Sequence, residues 1–470
     1  MTKLVIRSSG AMAPLPKQSV ERSLGLRSLR WYQEEGLSKF RGKPSAFFAM
    51  EMRLGKTLTS IRWMQTQDVR FVLIIAPKTV LSAWEMELEN EGLEYLNLTT
   101  LQGGVAIRAA QIENPKIPNV KYMLLNSECI CRMGNVKFAC DAIIFDEITE
   151  IKNPKSKITK VCLKWCKRAK VTCGLAGQPA PESWEEMWTQ MAFAYHGEWM
   201  GFSNFWKWRN SLFFVRGFDW IVKKDKVEVI RQAFHRDAYV MTRKDAGLAN
   251  EKIYQKIIGE LNEEERSIYK HANKTWSLPN GEETKYAMVV AGWFRRITSG
   301  IMISGEVCWK YDALINLLQT NLKDNQIIVW CTYKHEIYLL WGMLKKKLGM
   351  SVTWISGASS FQERKERIRL FQASKRQIML IQVDCGKFGI DLSAADTAIY
   401  FSSPWSYLKR IQSEDRIFAV GKTSSLLVID LVTKNTIDEV VMESIKCKNS
   451  SARFLMERLN ITSPPIGKER

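Results

Sequence analysis

The sequence predicts an α/β protein made of two doubly wound parallel-sheet lobes that carry α-helical insertions. Three observations predict it. Short apolar runs alternate with segments of helical spacing in both halves of the chain, the pattern of parallel strands and crossover helices. A turn containing Gly55-Lys56-Thr57 joins an apolar run to a helical segment. A second apolar run, 142–145, ends in two carboxylates, Asp146 and Glu147. At 470 residues the chain is long enough for two or three domains.

Residues 1–25 read as a polar, basic lead-in, and 26–40 have helical spacing. Apolar runs at 44–48, 71–76, 122–125, 142–145 and 171–175 read as strands with helices between them, which makes a first lobe over 26–250. From about 181 to 240 the texture changes: Trp184, Trp188, Trp199, Trp206, Trp208 and Trp220 crowd together with phenylalanines. This stretch predicts a helical insertion whose aromatics form their own small core, with a DNA-facing wedge or a partner surface as the functional alternative.

A strand at 254–258 opens the second lobe, 251–445. Asn262-Glu263-Glu264-Glu265 has the form of a capped helix start, and helical texture runs over about 262–305 as a second insertion. Alternation then resumes. Helices are expected at 310–320, 335–348, 361–372 and 407–418, and strands at 326–331, 352–355, 377–383, 397–401 and 425–431. A loose basic tail occupies 446–470.

The order strand, tight turn with Gly-Lys-Thr, helix makes a phosphate cradle. Amide N–H groups at a helix start point at phosphate oxygens, and the helix dipole favours their charge. Met50 stands where the first glycine of such a loop belongs, so this turn alone also fits a chance glycine before a helix. The acid pair decides between them, because ligands of open α/β sheets gather at strand C-terminal ends. The expected roles are Lys56 on the outer phosphates, Thr57 and Asp146 on magnesium, and Glu147 orienting and deprotonating water. Two lobes with one phosphate loop imply ATP in a cleft, so the second lobe must supply a cation. Arg416, in Gln412-Ser413-Glu414-Asp415-Arg416, is the candidate.

Lysine and arginine total 69 against 49 acids, a net charge of +20. That excess points to a polyanion, most often nucleic acid. No apolar run reaches the length of about 18 residues that a membrane span needs. Met1 to Gln18 lacks the apolar core of a secretory signal. Ten scattered cysteines without zinc spacing, and only four histidines, imply a reducing, intracellular setting without disulfides.

With these residues in view, about 26–440 resembles the Swi/Snf-type family of superfamily II helicase-related ATPases. Leu29-Arg30-xx-Gln33 is similar to the family's adenine-reading motif, and Glu51-Met52-Arg53-Leu54-Gly55-Lys56-Thr57 to motif I. Ile74-Ile75-Ala76-Pro77 with Trp84 and Glu89 resembles motif Ia. Asp146-Glu147-Ile148-Thr149-Glu150-Ile151-Lys152-Asn153-Pro154-Lys155-Ser156 resembles motif II with a signature tail that ordinary helicases lack. Gly177-Gln178-Pro179 resembles motif III, and Thr242-Arg243-Lys244-Asp245 another family segment. Residues 386–396 resemble motif V, and Trp405, Gln412, Asp415, Arg416 and Gly421 fall at motif VI spacing.

The resemblance implies RecA-like lobes and an ATP- and magnesium-dependent ATPase stimulated by double-stranded DNA, which tracks along the duplex. It implies nucleotide contacts from Gln33 and from Met52, Arg53, Leu54, Gly55, Lys56 and Thr57. It implies DNA contacts from Lys78, Lys387 and Trp405. The expected protein is a minimal, stand-alone monomer of bacteriophage or bacterial type, in the cytoplasm or nucleoid (host cytoplasm if viral), acting on DNA that carries other proteins.

The chain departs from the family pattern at several positions. Arg53 replaces a glycine, Thr149 a histidine, Gln178 a threonine, Asp391 an asparagine and Ala419 the second motif VI arginine. Thr149 and Gln178 can form a matched pair. The loss at Ala419 keeps open a DNA-binding ATP switch with weak hydrolysis, and a single-strand DNA or RNA helicase of the same superfamily is a third reading.

Overall fold

In the computed structural model, the described residues are 27–102, 104–115, 120–180, 183–217, 219–248, 251–301, 308–323, 325–349, 351–374, 377–387, 390–418, 422 and 424–448. The lead-in over 1–25 and the tail beyond 448 lie outside them. The strands are β1 (Ser45–Met50), β2 (Val72–Ala76), β3 (Tyr95–Asn97), β4 (Tyr122–Asn126), β5 (Ala142–Phe145), β6 (Val171–Ala176), β7 (Phe213–Arg216), β8 (Asp219–Val222), β9 (Tyr239–Met241), β10 (Lys252–Gly259), β11 (Ile327–Cys331), β12 (Val352–Ile355), β13 (Ile378–Gln382), β14 (Thr397–Tyr400) and β15 (Leu426–Thr433).

Two sheets organise the molecule. The first has seven strands in the order β3-β4-β2-β5-β6-β1-β9, and the second has six in the order β10-β15-β14-β11-β13-β12. Every pairing within them is parallel. Parallel strands covered by helices on both faces must be apolar on both, and these strands are. In β1 the alternation sends Phe47 into one layer and Phe48 into the other. In β11 Ile327 and Val329 face one layer while Ile328 and Trp330 face the other. Burying each such side chain stabilises the fold by about 1.5–3 kcal/mol, so the sheet centres are the most secure part of each lobe.

The spacing places β12 and the helix Phe361–Gln372 where the structure has them. Three features depart from expectation. The aromatic stretch is not wholly helical: between the helices Phe205–Leu212 and Lys224–Asp237 it holds the antiparallel hairpin β7–β8. Its strands are aromatic and β-branched around Gly217, a hairpin signal obscured by the tryptophans. The short β3 and β9 were also unforeseen; three residues carry too little periodicity to read. The helix expected over 407–418 ends at Asp415, which leaves Arg416 as its C-cap.

In a further departure, the buried aromatics of the Trp-rich stretch share the lobe's main core instead of forming their own. Trp188, Trp199, Phe205 and Trp208 join the first-lobe core. A separate apolar cluster lies under the helices Glu263–Thr275, Ala287–Thr298 and Ile437–Cys447. All ten cysteines are free.

Candidate nucleotide cleft

β5, β6 and β1 are adjacent and parallel, so their C-terminal ends open side by side. That edge brings together three segments far apart in sequence: Asp146-Glu147 after β5, Gly177 after β6 and residues 51–57 after β1. Gly55 is the N-cap of the helix Lys56–Gln65, with φ +76°. A β-carbon there would lie 2.4 Å from Gln33 Nε2, so a larger residue would have to displace that amide as well as accept a left-handed backbone. Gln33 is buried behind the loop. Its amide donates to the carbonyls of Leu54 (3.2 Å) and Gly55 (3.4 Å), and its Oε1 accepts from the Arg30 amide (2.9 Å).

Arg53 has φ +70°, left-handed backbone that costs a side-chain-bearing residue about 1–2 kcal/mol. The family's glycine at this position has a physical reason, and Arg53 occupies the same conformation without that freedom. Its Nη2 donates to Asp391 Oδ1 (3.0 Å) and to the carbonyl of Arg416 (3.0 Å), both in the second lobe.

Asp146 is buried. Its Oδ2 accepts from the Trp84 indole (2.9 Å) and its Oδ1 from the Glu147 amide (2.9 Å). Burial and the neighbouring Glu147 charge push its carboxyl up to about 6, against the pull of Trp84 and Lys56. Glu147 itself has φ +52°, which turns the chain sharply after β5. Lys56 Nζ donates to the carbonyls of Met50 (2.8 Å) and Glu51 (3.3 Å). Burial lowers the pKa of its ammonium, Glu147 and Asp146 oppose that, and Arg416 adds to it. A β-carbon on Gly177 would come within 3.9 Å of that nitrogen.

Arg416 is buried and faces the same group. Burial brings its guanidinium down to about 10, opposed first by Glu147, with Arg53 adding repulsion. It therefore remains cationic at neutral pH. Lys56, Asp146, Glu147 and Arg416 are brought together from two sheets. A narrow cleft beside them is lined by Glu51, Met52, Glu147, Thr149, Gly177 and Gln178 on one wall, with Leu408, Ile411, Gln412 and Asp415 on the other.

One further bond, Arg243 to Asp415, crosses the lobes beside it, braced by contacts within each lobe. The Arg243 amide donates to Glu51 Oε2 (2.9 Å), and its Nη2 to Asp415 Oδ1 (2.6 Å). Lys252 Nζ reaches Glu414 Oε2 (2.8 Å) and Asp415 Oδ1 (3.3 Å). Sequence reasoning listed Arg243 only inside a resembling segment and missed Lys252; neither position carries a periodic or motif signal of bridging. Trp84 likewise gave no hint that its indole holds Asp146.

Of the remaining expected residues, Thr57 is half-buried at the start of the loop helix and Lys78 is exposed just past β2. Trp405 is half-buried, packed on the helical cluster of the second lobe with the Arg295 guanidinium 4.8 Å from its ring. That packing commits much of its face to the lobe's own core. The side chain of Lys387, and Ala419 altogether, lie outside the described residues. The loop at the helix N-terminus, the buried Asp146 and the half-buried Glu147 together suit a magnesium-held triphosphate.

The SNF2-related domain model matches residues 27–311, and the helicase conserved C-terminal domain matches 309–421. The chain is 25% identical over 443 residues to an uncharacterized ATP-dependent helicase of Mycoplasma genitalium, covering 89% of this chain and 41% of that protein. It is 23% identical over 478 residues to the putative ATP-dependent helicase/translocase YwqA of Bacillus subtilis, covering 95% and 50%. The chain thus spans half or less of the length of these relatives. Among solved structures, the SWI2/SNF2 ATPase core of Sulfolobus solfataricus in complex with dsDNA aligns with a TM-score of 0.41 and 20% identity, over 96% of this chain and 100% of that one.

Proposed function

The chain belongs to the SNF2-related domain family, and on that premise we propose that it is an ATP-driven double-stranded DNA translocase which hydrolyses ATP between its two lobes. The observation that supports this reading is that Lys56, Asp146, Glu147 and Arg416, drawn from two sheets, lie near enough for their charges to act on one another. In the proposed reaction Glu147 orients a water and takes its proton as the oxygen attacks the γ-phosphorus. The bond to the bridging oxygen breaks and ADP leaves with its electrons. Lys56 and the amides of Met52 to Thr57 hold the phosphates. Arg416 meets the charge that grows on the transferred group, a role worth about 10³–10⁵ in turnover. Thr57 and Asp146 are the residues that would hold magnesium, which when bound supplies charge neutralisation across the β- and γ-oxygens.

Duplex DNA is the proposed track, held mainly at its phosphates. The net charge of +20 supports this, and Lys78, Lys387 and Trp405 are the proposed contacts. The proposed setting is intracellular, the working form a monomer, and proteins bound to DNA the obstacles it clears. Among the described residues no helix is long and apolar enough to cross a membrane.

Phosphate release measured with no nucleic acid, duplex, single strand and RNA tests the assignment. Stimulation by duplex above the others, with displacement of a triplex strand, is the expected result. Ala419, which removes the second motif VI cation, favours one competing reading: a switch that binds ATP and closes on DNA with little turnover. Nucleotide-dependent DNA binding without phosphate release would select it.

A further inference from the structure

Two departures from the family pattern meet each other. Arg53 stands on the phosphate loop where the family has glycine, and Asp391 stands in the second lobe where it has asparagine. They are joined by an ion pair of 3.0 Å across the cleft. The same guanidinium nitrogen also donates to the main-chain carbonyl of Arg416 at 3.0 Å. We infer that Arg53 is a positioning residue, a strut that fixes the phosphate loop to the backbone of Arg416 and to Asp391.

Three observations carry this inference, which rests on the reading of the cleft as an ATPase site. First, Arg53 keeps the left-handed conformation, φ +70°, that a glycine would adopt freely. A side chain at such a position is strained unless contacts hold it, and the contacts it has all lie in the other lobe. Second, Asp391 is held from its own side: its Oδ1 accepts from the Ser393 amide (3.1 Å), and its carbonyl accepts from Gln372 Nε2 (2.6 Å). The carboxylate, half exposed, is thus oriented by its own lobe through Oδ1. Third, the carbonyl that Arg53 grips belongs to the residue whose guanidinium faces Glu147 and Asp146. A displacement of the phosphate loop is passed directly to that residue. The Arg53 guanidinium is spent on lobe-to-lobe contacts, and its effect on turnover runs through Arg416.

The test is a cycle of Arg53→Gly, Asp391→Lys and the double variant, in the full chain. The readouts are duplex-stimulated kcat, KM for ATP, thermal melting and the radius of gyration by solution scattering. Arg53→Gly should lower kcat about two- to fivefold, the reach of a partly exposed ion pair, with KM nearly unchanged. Glycine relieves the strained backbone, so melting should hold or rise, which a merely structural arginine would not allow. Asp391→Lys sets two cations against each other and should cost about tenfold while expanding the particle. Adding Arg53→Gly to Asp391→Lys should return activity and size to the level of Arg53→Gly alone. Losses that multiply in the double variant overturn the strut. So does a raised KM in Arg53→Gly with Asp391→Lys silent, which would put the guanidinium on the phosphates instead. If the unaltered chain shows no duplex-stimulated hydrolysis, the ATPase reading fails, and scattering across the same variants still decides whether the pair holds the lobes together.

Discussion

Arg243 and Asp415 meet at 2.6 Å, joining the segment after β9 to the residue that precedes Arg416. The carboxylate is buried, and the arginine also holds Glu51 on the phosphate loop. This one side chain therefore ties both walls of the cleft. Arg243→Ala should destabilise the protein by about 2 kcal/mol. A larger cost, from a stranded buried charge, is avoided because Lys252 still reaches Asp415. Thermal melting checks the stability, and duplex-stimulated phosphate release should fall with it.

Arg416→Ala should reduce turnover about 10³-fold or more while ATP still binds. Steady-state phosphate release set beside titration of a fluorescent nucleotide separates the two effects. Turnover equal to that of the unaltered chain would remove Arg416 from the mechanism.

Gly55→Ala should weaken nucleotide binding about tenfold. The new β-carbon meets Gln33 Nε2 at 2.4 Å, and φ +76° disfavours it even if the amide retreats. Gln33→Ala opens the space but leaves the backbone strain, so it should rescue Gly55→Ala only in part. Nucleotide titration of the single and double variants reads this directly.

Asp146 gives a pH signature. Its carboxyl is raised from 3.8 to about 6 by burial and Glu147, so it carries a proton increasingly as pH falls below that value. A protonated carboxyl is a poor magnesium ligand. The magnesium needed for half-maximal turnover should therefore climb between pH 7 and 5. Stability runs the opposite way: because the folded value lies above the unfolded one, this group's contribution is fully present below 3.8 and is lost as pH rises through about 6. Trp84→Phe deletes a hydrogen bond to the ionised form and should move the acid limb of activity to higher pH. A pH–rate profile at two magnesium concentrations measures both.

Duplex binding should weaken steeply with salt and hardly vary with sequence. Each phosphate contact contributes about −0.9 to the slope of log affinity against log salt. Lys78→Ala should reduce the slope by about one while leaving ATP binding unchanged, and fluorescence anisotropy across a salt series would show it.

Much of this was legible before the structure. Strands buried on both faces leave long apolar runs, and so β1, β5 and β11 could be read directly. Asp146 and Glu147 stood out because they follow β5 at once, and Lys56 because it sits in a Gly-Lys-Thr turn opening a helix. The lobe-crossing bonds could not. Arg53–Asp391 and Arg243–Asp415 join residues 338 and 172 positions apart, and spacing says nothing of contacts at that range. The hairpin β7–β8 was hidden for another reason: its aromatics look the same in a strand as in the helical core beside it. Trp405 shows the converse, a residue expected at the DNA whose ring is largely engaged by its own lobe.

β9 and β10 are consecutive in the chain, and each is the outermost strand of its own sheet. The link between the halves thus starts and ends on these two rims, where Arg243 and Lys252 both contact Asp415. Whatever sits next to a pivot travels least. Rocking about that link would leave the reacting groups almost in register, while β3 and β12, at the opposite margins, sweep the widest arcs.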